Sequence, residues 1–111
     1  MISRLPVEFA DSAKDDIYNI TEYIALYIAL AAGSYRTAAK FVGRIEVKCQ
    51  RIGDAPRAGR PRNDLLPGLR TVPFEHSAVI AYVVEQDMIR IINIFYGGRD
   101  FETLLRGEES H

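Results

Sequence analysis

The spacing of apolar residues changes along this chain, and each change marks an element. Leu5, Val7 and Phe9 alternate with polar or turn residues, the period-two pattern of a short strand. The interval then lengthens to three and four. Ile17, Ile20, Ile24, Ile28 and Ala31 fall on one face of a helix. Asp11-Ser12 offers that helix an N-cap, with Asp15 three residues beyond Ser12 in the manner of a capping box. Gly33 stops it, because glycine takes the left-handed conformation without a steric penalty. Ser34 is placed to cap a second helix, whose buried stripe is Ala38, Phe41, Ile45, Cys49 and Ile52 and whose end is Gly53. Two helices joined at Gly33-Ser34 make an antiparallel hairpin.

Residues 54–68 break the periodicity with Pro56, Pro61 and Pro67 beside Gly59 and Gly68, the signature of a loop. One extended stretch is expected in it, around Arg60-Pro61-Arg62. Alternation then returns, predicting strands at 69–74, 77–85 and 88–96, with Gln86-Asp87 as the turn between the last two. Phe101 to Arg106 supports a short terminal helix. The order β-α-α-β-β-β predicts one α+β domain over residues 1–111, a helical hairpin packed on one face of an antiparallel sheet.

One segment fits this scheme poorly. From Tyr23 to Ala32 the side chains are apolar on every face of the helix. A sheet and one neighbouring helix cannot cover all of it. Tyr23, Leu26, Tyr27 and Leu30 are therefore candidates for a protein interface, with a second copy of the chain or another protein as the cover. A run of this length is too short to span a membrane, which needs about 20 residues. The N-terminus lacks the apolar core of a signal peptide, and a lone Cys49 precludes an internal disulfide. A cytoplasmic location is expected.

Charge narrows the choice of partner. The net charge is −1 and the pI about 6.1. Residues 51–70 carry five arginines against Asp54 and Asp64, whereas residues 71–111 have a net charge of −4. The basic block is local, so the chain alone is not expected to bind DNA sequence-specifically. Arginine carries most of the positive charge, and it suits planar partners such as carboxylate and phosphate. Arg60, Arg62, Arg70 and Arg99 form a candidate functional cluster at one end of the sheet, able to clamp a phosphate. The same arginines are equally suited to pair with Asp64, Glu75 or Asp100 and fix the loops. Arg90 needs an acid if it shares a sheet face with Ile92 and Ile94, and is a surface charge if it does not.

An evident base is missing. His76 lies in a turn beside Glu75 and His111 is the last residue. Tyr96 would sit in a cationic pocket, but tyrosines ordinarily titrate near 10 and make poor bases. Its simpler role is that of a strand-end aromatic covering the core. The chain shows no metal-ligand spacing, phosphate loop or nucleophile elbow, so no metal or cofactor is expected.

Three motifs combine into a resemblance. Ala58-Gly59-Arg60-Pro61-Arg62 leads to Leu66-Pro67-Gly68-Leu69-Arg70, and the last strand closes on Gly97-Gly98-Arg99-Asp100. With the element order, over about residues 6–105, this resembles the RelE/ParE toxin superfamily, and its ParE-type members in particular. The resemblance implies the toxin of a type II toxin–antitoxin (plasmid stabilisation) module, neutralised by a cognate antitoxin and inhibiting DNA gyrase by binding it. The alternative is a RelE-like, ribosome-dependent mRNA interferase, for which Tyr96, Arg99 and Arg70 would be the catalytic candidates. Where many relatives have a histidine before the closing arginine, this chain has Tyr96. The scarcity of lysine and the missing base favour the gyrase reading.

Overall fold

The computed structural model describes residues 4–28 and 34–106. Strand β1 (Val7–Phe9) leads into helix α1 (Asp11–Tyr23), which continues as a π-helical turn over Ile24–Ile28. Helix α2 (Ser34–Ile52) follows. Then come β2 (Arg60–Pro61), β3 (Leu69–Phe74), β4 (Ala78–Glu85), β5 (Met88–Tyr96) and a short helix, α3 (Phe101–Arg106). The α+β class and the element order agree with the sequence reading, and the extended stretch at Arg60-Pro61 is a true edge strand. Gly33, Leu30, Ala31 and His111 lie outside the described residues.

The strands form one sheet in the order β1-β5-β4-β3-β2. Four are antiparallel neighbours, but β1 joins β5 in parallel, pairing Val7 with Ile89 and Phe9 with Ile91. The sheet is thus mixed rather than wholly antiparallel. The helices α1 and α2 lie between β1 and the hairpin strands in sequence, so β1 reaches the sheet by a crossover and not by a tight turn. Where β1 ends, α1 takes over the open edge of β5. Ala10 N–H donates to Ile91 O (2.9 Å), and Ser12 Oγ donates to Ile92 O (2.6 Å). The Asp16 carboxylate accepts from Ile94 N–H (2.8 Å) and Asn93 Nδ2 (2.9 Å). Ser12 therefore serves the sheet and not the helix start. The N-cap is Ala10, which makes no side-chain cap.

Both faces of the sheet are covered. On one, Ile20, Ile24, Ala38, Ile45 and Cys49 of the helices pack on Phe74, Ile80, Tyr82, Ile89, Ile91 and Ile94. On the other, Leu65, Leu69, Ala81 and Phe95 form a smaller cluster beneath the 62–69 loop and α3. A β-bulge lets β5 serve both. Ala81 pairs with Asn93 and Tyr82 with Ile91, so Ile92 is the extra residue. The bulge resets the alternation: Ile89 and Ile91 face the helices before it, Ile94 after it, while Ile92 joins the second cluster. Arg90 stands on the face away from the helices and pairs with Glu85 across the turn (3.2 Å).

Candidate functional site

The sheet register separates the candidate arginines. Arg70 lies opposite Pro61 on one side and Tyr82 on the other. Arg99 follows Tyr96, which pairs with Ala78, itself opposite Phe74. Arg70 and the end of β5 are thus four positions apart along β3, roughly 13 Å at the rise of a strand.

Each guanidinium has different surroundings. Arg62 is only 8% exposed, held on the second face of the sheet. It donates to both Asp64 oxygens (3.0 and 2.7 Å), pairs with Glu102 of α3 (2.7 Å) and lies 5.9 Å from the centroid of the Phe101 ring. The bond to Asp64 and then that to Glu102 raise the Arg62 pKa, and Arg62 in turn holds Asp64 down to about 2. Arg106 adds a second cation to Asp64 at 3.2 Å. This network fastens α3 to the loop. Arg70 is also engaged: its Nη1 donates to Arg57 O (2.9 Å) and Gly59 O (2.8 Å), bracing the loop over α2's end.

Arg60 and Arg99 remain. Among the described residues neither makes an ion pair, and both are exposed. Arg60, on β2, borders a cleft with Lys48 and Arg51. Arg99 follows Gly97 and Gly98, whose φ values of 79° and 76° suit glycine. It lines a pocket of about 310 Å³ with Asp16, Asn19, Tyr23 and Tyr96. The expected single cluster of Arg60, Arg62, Arg70 and Arg99 is therefore not assembled. The reason is that Arg62 and Arg70 are drawn to opposite faces by internal acceptors.

Tyr96 is half-buried, edge-on to Phe41 (5.5 Å between centroids) and Tyr23 (5.8 Å). It covers the core margin, as its pattern position suggested. His76 is exposed in the β3–β4 turn, with φ of 58° beside Glu75 at 48°. Glu75 faces Arg44, whose guanidinium bonds both carboxylate oxygens and lowers the Glu75 pKa. On the π-helical turn Ile24 and Ala25 are buried, while Leu26 is 50% and Tyr27 68% exposed, beside Tyr23.

Three features escaped the sequence reading. Asp16 carries no pattern that marks it as a partner of β5. Tyr82 sits in an apolar run, where its hydroxyl gives no sign of its use. The row of cations on α2 was legible in the four-residue spacing of Lys40, Arg44 and Lys48, but block-by-block charge counts hide it.

A helical hairpin on a bulged, mixed sheet, closed by a short helix that an arginine network holds, defines a RelE/ParE-like fold. The chain belongs to the ParE toxin family: a family model described as the ParE toxin of the type II toxin–antitoxin system, parDE, matches residues 7–101. It is accordingly the toxin of such a system, a context that implies an antitoxin partner. The fold is similar to that of a solved structure, the chromosomal ParDE TA system from P. aeruginosa. The two are 20% identical, with a TM-score of 0.70, over 85% of this chain and 97% of the other. No curated protein matches the sequence.

Proposed function

We propose that this toxin acts by binding and not by cutting: it inhibits DNA gyrase and is neutralised by its antitoxin. The observation that carries this reading is the commitment of the arginines. Phosphodiester cleavage needs cations and a base converging on one phosphate. Arg62 and Arg70 are instead bonded to internal carboxylate and carbonyl oxygens, and Tyr96 packs between two aromatic rings. Binding a large enzyme requires only a complementary surface. Exposed Arg99, with Tyr23 and Tyr96 beside it, and exposed Arg60 are the candidate contacts with gyrase. The half-exposed patch of Tyr23, Leu26 and Tyr27 is the candidate interface with the antitoxin, or with a second copy when the antitoxin is absent.

Two assays on one preparation test the mechanism. Gyrase supercoiling should be inhibited, and less so by Arg99→Ala, while mRNA on programmed ribosomes stays intact. Codon-linked mRNA cleavage lost in Tyr96→Phe or Arg99→Ala, with normal supercoiling, would establish the interferase instead.

A further inference from the structure

The edge of β5 next to α1 is only partly covered. Strand β1 pairs with it as far as Ile91, Ala10 N–H donates to Ile91 O, and Ser12 Oγ donates to Ile92 O. Further along, the ladder with β4 fixes which backbone groups face this edge. Gly97 N–H donates to Ser77 O (3.0 Å), and Tyr96 pairs with Ala78 in the same register. Hydrogen-bonded and open pairs alternate along an antiparallel ladder. Gly97 and Phe95 therefore turn their N–H and C=O groups to β4, while Ile94 and Tyr96 turn theirs outward. On that side Ile94 N–H is taken by the Asp16 carboxylate (2.8 Å). Among the described residues, Ile94 O and Tyr96 N–H have no partner.

These groups select the direction of an added strand. In antiparallel pairing one residue of the edge exchanges both its N–H and its C=O with its partner. At Ile94 that would set a carbonyl oxygen against the Asp16 carboxylate, with no proton between them. A parallel strand instead sets one residue between Ile94 O and Tyr96 N–H, opposite Phe95. A strand added here thus runs parallel to β5, as β1 does, with its C-terminal end toward Gly97.

The space beside this edge suits the end of a chain. It is the pocket of about 310 Å³ between α1 and β5. The residue that follows the one opposite Phe95 would lie beside Tyr96 on the helix face of the sheet, where Ile20, Tyr23 and Tyr96 offer apolar walls. Beyond it the toxin chain turns at Gly97 and Gly98, and the edge ends. Arg99 lines the same pocket and makes no ion pair among the described residues. A guanidinium placed there suits a carboxylate. We propose that this pocket captures the C-terminus of an extended tail of a partner protein. The tail's penultimate residue bonds Ile94 O and Tyr96 N–H, its last, apolar side chain packs on Ile20 and Tyr23, and its terminal carboxylate meets Arg99. Such capture does not depend on which enzyme the toxin inhibits.

The test uses the purified full chain and a short fluorescein-labelled peptide of alternating threonine and valine that ends in leucine with a free carboxylate. Its counterparts are the C-terminal amide, and the free acid with an N-methyl group on the penultimate residue. In fluorescence anisotropy the free acid should bind saturably and roughly tenfold or more tightly than either counterpart, the margin of one charge-assisted or buried backbone hydrogen bond. Arg99→Gln should bring the free acid down to the affinity of the amide and leave the thermal midpoint unchanged, because Arg99 is exposed. Bound peptide should also slow hydrogen exchange at the Tyr96 amide, which a contact through Arg99 alone does not do. Four results would overturn the proposal: no saturable binding, equal binding of acid and amide, undiminished binding to Arg99→Gln, or an unprotected Tyr96 amide in the saturated complex. Displacement of the peptide by an equal concentration of adenosine monophosphate would also overturn it, and would make the pocket a nucleotide site.

Discussion

Tyr82 shows how one hydroxyl can organise a loop. The side chain is fully buried in the middle of β4. Its hydroxyl donates to Pro56 O (2.8 Å) and accepts from Gly59 N–H (3.0 Å). Burial raises its pKa, which keeps the phenol neutral and able to donate. Gly59 must come close for this: a Cβ there would lie 2.5 Å from the hydroxyl oxygen. The glycine of the Gly59-Arg60-Pro61-Arg62 motif is thus explained by packing against Tyr82, with Arg70 bracing the same turn from the next strand. Tyr82→Phe keeps the ring but deprives a buried N–H and C=O of their partner. A loss of about 1–3 kcal/mol is expected, read as a lower midpoint of urea unfolding. An unchanged midpoint would mean that the loop is held by other contacts.

Among the elements, the exposed end of α1 has the clearest consequence. Burying a leucine side chain is worth roughly 1.5–3 kcal/mol, and Leu26 is left half outside on the π-helical turn. Leu26→Glu should weaken association with the antitoxin about 10- to 100-fold, since each 1.4 kcal/mol is tenfold. Sedimentation of the chain, alone and with antitoxin, measures this, and identical profiles for mutant and parent would remove the patch from consideration. The helices and strands were legible from their periods because one face of each is buried against its neighbours. The bulge was not. Ile89 to Tyr96 places apolar residues on both faces, and its two polar residues, Arg90 and Asn93, do not by themselves fix which residue is the extra one. The candidate site was legible only as residue types. Whether an arginine faces solvent or an internal oxygen depends on chain segments far away in sequence: Arg62 meets Glu102 across forty positions. The missed N-cap has the same origin, since Ser12 is claimed by Ile92 of β5.

For the whole molecule, carboxylates held by ion pairs and hydrogen bonds set the response to acid. Arg4 lowers the Asp54 pKa, Arg44 that of Glu75 and Arg62 that of Asp64, and Thr103 does the same for Asp100. A depressed carboxylate contributes its stability above its unfolded pKa, about 4, and loses it as the pH falls through the folded value, about 2 for Asp64. The thermal midpoint should hold from pH 7 to about 5 and fall below about 4. Asp64→Asn should make that fall shallower, and an equally steep fall in the mutant would assign it to other groups. Surface screening keeps each contribution small. The parallel pairing of β1 with β5 adds a dimension of time. Val7 finds its partner only at Ile89, and β5 stands between β1 and the rest of the sheet. At a synthesis rate of about 5–20 residues per second, the first strand waits several seconds for its neighbour. Until then the helical hairpin has only part of the surface it will finally cover. The sheet is therefore unfinished until β5 has been made, and any surface that depends on the closed sheet exists only after that delay.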